Sequence, residues 1–141
     1  MIAPRAQERG VVLETDLQPV ELEADRTRIL QLLTNLLANG IQYNRDGGRV
    51  VLTSRQDGSE AVLQVADTGV GIAAQDQARV FERFFRADKA RFREAGGSGL
   101  GLAICQSIVE AHHGAITFTS QPGRGTKFVV RLPLSRSGLP A

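Results

Sequence analysis

Cysteine is almost missing from this chain: of 141 residues only Cys105 is one. An internal disulfide is therefore excluded, and a reducing compartment is the simplest context. One small apolar thiol in a helical stretch is expected to act as packing. Long hydrophobic runs are missing too. No stretch approaches the ~20 apolar residues of a membrane span, and the first residues lack a signal peptide's basic-then-apolar layout, so the chain is expected to be soluble. Nor is charge of one sign in excess. Lys+Arg number 17 and Asp+Glu 15, a formal net charge of +2 with a pI near 9.2, and that balance implies no nucleic acid. There are no repeats, no low-complexity tract and no GxxxxGK[ST] phosphate loop. A chain of this length can bury one core but not a second independent one, which argues for one site.

What is present alternates between strand and helix patterns. Residues 1–10 are polar, with Pro4 and Gly10, and read as a linker remnant from something upstream. The runs Val11–Thr15 and Val20–Glu23 read as short strands separated by Pro19, a hairpin or two edge strands. Asp25 stands where a helix N-cap belongs. From Arg26 to Tyr43, Ile29, Leu32, Leu33, Leu36, Leu37 and Ile41 fall on one helical face, and Arg28, Gln31, Asn35, Asn39 and Gln42 on the other. Val50–Ser54 and Ala61–Ala66 alternate as strands around the Asp57-Gly58 turn. A short helix is expected around Gln75–Phe84. The charged stretch after it has no clean period and ends in glycines, so it is expected to be mobile. Ser98–His113 reads as a second long helix closed by Gly114, and Ala115–Ser120 and Thr126–Pro133 as the last two strands. This order predicts an α+β fold: a two-layer sandwich whose mixed, mostly antiparallel sheet is covered on one face by helices.

Four motifs carry chemistry. Asn35-Leu-Leu-Ala-Asn39 puts two amides on one face of the first helix, with Gln42 and Tyr43 a turn further on, so one line of polar groups can meet one ligand. Asp67-Thr-Gly69-Val-Gly71 ends a strand with an acceptor-only carboxylate beside glycines that let backbone approach a flat ring, the demands of an adenine pocket. Phe81-Glu-Arg-Phe-Phe-Arg86 supplies aromatics and cations. Gly97-Ser-Gly99-Leu100-Gly101-Leu opens the second long helix, where free N–H groups and the helix dipole attract anions. Each alone has a plainer reading: solvated amides, a turn, core aromatics, a glycine-rich loop.

In this order and spacing the four resemble the ATP-binding catalytic domain of a bacterial sensor histidine kinase, the Bergerat fold, over about residues 11–134, with 135–141 a tail. The resemblance implies binding of ATP and Mg²⁺. It makes Asn39 the Mg²⁺ ligand through its side-chain oxygen, as suits a hard cation, and Asn35 and Tyr43 phosphate and nucleotide contacts. Asp67 would read the adenine amino group, with Gly69 and Gly71 beside the base. Gly97, Gly99, Leu100 and Gly101 would hold the ATP phosphates, and Thr126, after Gly125, would approach the adenine pocket. Arg86 would reach the γ-phosphate from the root of a lid bearing Lys89, Arg91 and Arg93, neutralising charge on the transferring group. The implied partners are a dimeric helical domain with the phosphoacceptor histidine, in the parent polypeptide, and indirectly a response regulator. The isolated domain is expected to be monomeric, and the parent to lie at the cytoplasmic face of a bacterial membrane. His112 and His113 lack the family's His-Glu/Asp-x-x-x-x-Pro context and are not expected to be phosphorylated.

Two positions depart from the commonest family pattern. Gly40 replaces an alanine, at a helix cost of roughly 1 kcal/mol, and Gln42 replaces a frequent lysine, removing one cation near phosphate. Related ATPases carry a water-activating glutamate where Asn35 stands, so slow hydrolysis is expected. Two competing readings are a serine kinase that sequesters a sigma factor and a non-catalytic module gated by nucleotide.

Overall fold

The computed structural model describes residues 6–8, 10–82 and 101–135. Five strands form one sheet: β1 (Val12–Leu17), β2 (Arg49–Asp57), β3 (Glu60–Asp67), β4 (Ala115–Gln121) and β5 (Gly125–Pro133), in the spatial order β1-β2-β3-β5-β4. Helix α1 spans Arg26–Gln42, α2 Ala74–Gln77 and α3 Gly101–Ala111. Only β1 and β2 run parallel, Val12 opposite Arg49 and Leu17 opposite Ser54; the other three pairings are antiparallel. The sheet is therefore mixed and mostly antiparallel, as the element order predicts.

Alternation along the strands explains the layering. Phe128, Val130 and Leu132 of β5 point to one face with Val65 of β3 and Val50 of β2, and all five are at most 1% exposed. Leu32, Leu36 and Ile41 of α1 and Cys105, Ile108 and Val109 of α3 close over them, with Ala6 and Val11 completing the same core. Each of the valine, leucine, isoleucine and phenylalanine side chains contributes about 1.5–3 kcal/mol relative to exposure. On the opposite face Val62 is also buried, at 1%, because Arg55 and Arg131 are its cross-strand neighbours and long cationic side chains cover apolar surface with their stems. The Arg131 guanidinium there lies 3.1 Å from Asp57 and holds that carboxyl below the usual range.

Asp25 caps α1 as expected, its carboxylate accepting from the Arg28 N–H at 3.2 Å. A second contact was not legible in sequence. The Asp25 backbone N–H donates to His112 Nε2 at 3.1 Å, while His112 Nδ1 bonds the Ile108 carbonyl at 2.8 Å. These bonds assign a neutral ring with its proton on Nδ1, stapling the end of α3 to the start of α1.

Two expectations need correction. Val20–Glu23 forms no strand: after β1 the chain leaves the sheet, Leu22 packs on the core and the Glu23 N–H donates to Leu134 O at 2.8 Å. The short helix stops at Gln77. From there the bonds Arg79 N–H to Asp76 O and Glu82 N–H to Arg79 O are tight three-residue turns, which bury Val80 and aim Phe81 at the sheet.

Candidate functional site

Residues four apart on α1 share a face, and Asn35, Asn39 and the C-capping Tyr43 form such a line. Asn35 lies on the side of α1 next to Cys105 of α3, one turn beyond Gly101, and the Cys105 thiol donates to the Leu32 carbonyl of α1 at 3.8 Å. The asparagine helix and the start of α3 are thus brought together. Burial pushes the Cys105 thiol up to about 12, so it is packing rather than a nucleophile. A Cβ on Gly101 would meet nothing within 4 Å among the described residues, which leaves room for a ligand. Asn39 is half-buried, and its side chain has no partner among the described residues.

Gly40 explains how α1 reaches the neighbouring motif. A Cβ there would lie 3.3 Å from both Val50 methyls and 3.5 Å from Asp67 Cβ, so the helix passes directly beside the end of β3. Asp67 is the last residue of β3, paired with Val50 on one side and Thr126 on the other. Its Oδ1 accepts from Gly69 N–H at 2.9 Å and Thr126 N–H at 3.2 Å. Removal of water raises its carboxyl above the usual range, and the two N–H donors oppose that. One oxygen is fixed by the protein, and Oδ2 takes no donor among the described residues.

The glycines of this loop are required by close approach. A Cβ on Gly69 would sit 2.4 Å from the Tyr43 carbonyl; Gly71 has φ +74° and would bring a Cβ 2.2 Å from Gln121 O. Backbone bonds from Val70 N–H to Tyr43 O (3.0 Å) and from Gly123 N–H to Val70 O (2.8 Å) close the same seam. The loop is therefore wedged between the end of α1 and the β4–β5 turn. Thr126 is buried, its hydroxyl 2.8 Å from Ser120 Oγ.

Several supporting residues escaped the sequence reading. Asn44, fully buried, donates to Arg49 O at 2.9 Å and accepts from Arg45 N–H at 2.9 Å and from the Thr68 hydroxyl at 3.3 Å. Arg45 Nη2 donates to Gly69 O at 3.1 Å and Gly123 O at 2.7 Å. Ser120 Oγ accepts from Ile72 N–H at 2.7 Å, and Gln77 Nε2 donates to Ile72 O and Ser120 O. No spacing signals them, because their partners lie on other elements. Phe81 sits edge-on to Phe118 and Phe128, with centroids 5.8 and 6.4 Å apart, which anchors the start of its motif on the sheet. Arg86, Gly97, Gly99 and Leu100, with Lys89, Arg91 and Arg93, lie outside the described residues.

Among the described residues no three His, Cys, Asp or Glu side chains gather as a metal cluster. A lone amide oxygen such as that of Asn39 still fits Mg²⁺, which keeps several waters and leans on substrate phosphates. The arrangement can bind an aminated flat ring at Asp67 and a phosphate chain between α1 and the start of α3.

Comparison with known proteins agrees with this chemistry. The family described as histidine kinase-, DNA gyrase B- and HSP90-like ATPase matches residues 24–136. The sensor-like histidine kinase SenX3 of Mycobacterium tuberculosis is 48% identical over 109 residues, covering 77% of this chain but 27% of SenX3. The chain thus spans about a quarter of that relative's length. The catalytic domain of histidine kinase ThkA superposes with a TM-score of 0.81 at 27% identity, covering 95% of this chain and 86% of that one. ThkA has also been solved in complex with response regulator protein TrrA (TM-score 0.77, 25% identity, 98% of this chain and 38% of that one). Full-length ShkA in complex with AMPPNP gives a TM-score of 0.81 at 34% identity, covering 94% of this chain and 27% of that one.

Proposed function

This chain belongs to the histidine kinase-, DNA gyrase B- and HSP90-like ATPase family, and we propose that it binds Mg·ATP and passes the γ-phosphoryl group to a histidine on a separate dimeric helical domain. The observation that carries this reading is the anchoring of Asp67: one carboxylate oxygen is held by two backbone N–H groups and the other takes no donor among the described residues, beside a glycine loop packed tightly against Tyr43 and Gln121. In this reading Asp67 accepts from the adenine amino group, with Gly69, Gly71 and Thr126 around the base. Tyr43 and Asn35 touch the nucleotide and its phosphates, and Gly97, Gly99, Leu100 and Gly101 cradle the phosphates. Asn39 holds Mg²⁺, which when bound would draw charge from the phosphate oxygens. Arg86 meets the γ-phosphoryl group. The acceptor nitrogen bonds to γ-phosphorus as its bond to the bridging oxygen breaks, and ADP leaves.

Asn35 supports transfer over hydrolysis. A carboxamide cannot take a proton from water, so Asn35 supplies no base where related ATPases keep a glutamate. His112 is a poor acceptor for a related reason, since both its ring nitrogens are occupied. The acceptor histidine, the response regulator it serves and a parent protein at the cytoplasmic face of a membrane belong to this proposal, as do a linker at residues 1–10, the catalytic domain at 11–134 and a tail at 135–141.

Calorimetric titration of a non-hydrolysable ATP analogue, with and without Mg²⁺, tests the site. Wild type should bind, Asp67→Asn should lose adenine-dependent affinity, and Asn39→Ala should lose the Mg²⁺ dependence. Absence of binding at millimolar nucleotide would sink the proposal and favour an interaction module.

A further inference from the structure

We infer that Arg45 is a positioning residue for base recognition: its guanidinium clasps the two loops that border Asp67 and so sets the aim of that carboxylate. The inference rests on the reading of Asp67 as the adenine acceptor. Arg45 follows α1 by three residues, in the turn that leads into β2. One nitrogen, Nη2, donates both to Gly69 O, inside the Asp67–Gly71 loop, and to Gly123 O, in the β4–β5 turn. Those loops are 54 residues apart in sequence by that pair of numbers and meet along a seam already closed by Gly123 N–H to Val70 O.

The base of the clasp is rigid. Arg45's own N–H donates to the side chain of Asn44, which is fully buried and also bonded to Arg49 O and Thr68. Gly69 has little slack of its own, because even a Cβ on it would lie 2.4 Å from the Tyr43 carbonyl oxygen. Its N–H is one of the two donors that orient Asp67 Oδ1, and its carbonyl is the group Arg45 holds. The same peptide-linked residue thus connects guanidinium to carboxylate. The other donor, Thr126 N–H, belongs to the strand that the β4–β5 turn feeds. Arg45 therefore holds one support of Asp67 directly, at Gly69, and the turn leading to the other, at Gly123. A lysine ammonium carries enough donors for both carbonyls but lacks the guanidinium's fixed planar orientation, so its hold on them is weaker.

The test compares ADP with IDP, whose base carries a carbonyl where adenine has its amine. Binding of each is measured to wild type, Arg45→Met, Arg45→Lys and, as reference, Asp67→Asn, alongside thermal melting without nucleotide. Arg45→Met should weaken ADP about fivefold, the scale of one net hydrogen bond, and leave IDP almost unchanged. Arg45→Lys should fall between, and supplies the comparison if the methionine variant does not fold. A merely structural role would weaken ADP and IDP alike or move only the melting temperature, and either result overturns the inference. Wild-type preference for ADP that Asp67→Asn abolishes but Arg45→Met and Arg45→Lys retain overturns it while sparing the adenine site. A wild type that does not discriminate removes both.

Discussion

Asp67 enters the folded domain with most of its water removed, which raises its carboxyl above the ordinary 3.8 while Gly69 and Thr126 offset only part of the cost. A carboxyl whose folded value lies above its unfolded one favours folding fully below the unfolded value and loses that contribution as pH rises through the folded value. At neutral pH the ionised side chain therefore opposes folding. Asp67→Asn should raise the melting temperature of the nucleotide-free domain at pH 7, and the gap should close as pH is lowered toward 3.8 and below. A gap that persists in acid would assign the stabilisation to something other than the charge. Gly40 gives a second residue-level prediction. Alanine there improves helix propensity by roughly 1 kcal/mol but meets both methyls of the fully buried Val50 at 3.3 Å. Val50→Ala removes those methyls, so in urea denaturation Gly40→Ala should be more favourable in the Val50→Ala background than in wild type, by on the order of 1 kcal/mol. Additivity within error would mean that Val50 simply yields.

Helices and strands divide sharply in how far the sequence announced them. α1 was legible to within a residue, since its apolar face repeats over seventeen residues and Asp25 caps it. The last two strands and the β2–β3 hairpin were legible for the matching reason of alternation and turn chemistry. Val20–Glu23 deceived because a short alternating run is indifferent to whether a neighbour has a free edge, and here the chain crosses away toward Leu134. The site divides the same way: Asn35, Asn39 and Asp67 declare themselves through spacing, whereas Arg45, Asn44, Ser120 and Gln77 act on partners up to 78 residues distant. His112 belongs with the second group. Its ring joins α3 to α1 over 87 residues, two hydrogen bonds whose loss leaves the Asp25 N–H without a protein partner. His112→Ala should therefore cost about 1–2 kcal/mol in equilibrium unfolding and leave nucleotide affinity unchanged, because the staple lies at the opposite end of α3 from Gly101. Loss of nucleotide binding with unaltered stability would contradict its assignment as a staple.

For the molecule as a whole, the proposed function implies a reaction centre completed by another domain. In the proposed reading Asp67 accepts from adenine and Asn39 holds Mg²⁺, but no free histidine is offered beside them: His112 is stapled to α1, and His113 sits at φ +61° beyond the far end of α3. Asn35, a carboxamide, offers no base for water. Chemistry of this kind is mostly positioning and charge stabilisation, so a domain that binds nucleotide without supplying the nucleophile should be nearly silent alone. Incubated with γ-labelled ATP and Mg²⁺, the isolated domain should bind but neither label itself nor hydrolyse at an appreciable rate. Adding the dimeric helical phosphoacceptor domain of a parent kinase should produce acid-labile, base-stable label on that domain alone, the signature of a phosphorus–nitrogen bond. Asn39→Ala should abolish the transfer, while His112→Ala should leave it intact. Label on this chain in the absence of a partner would mean that one of its own side chains reaches the γ-phosphoryl group. Label on a serine of an added partner would instead mark the sigma-factor-sequestering class of kinase, since the nucleotide machinery would be the same and only the attacking atom different.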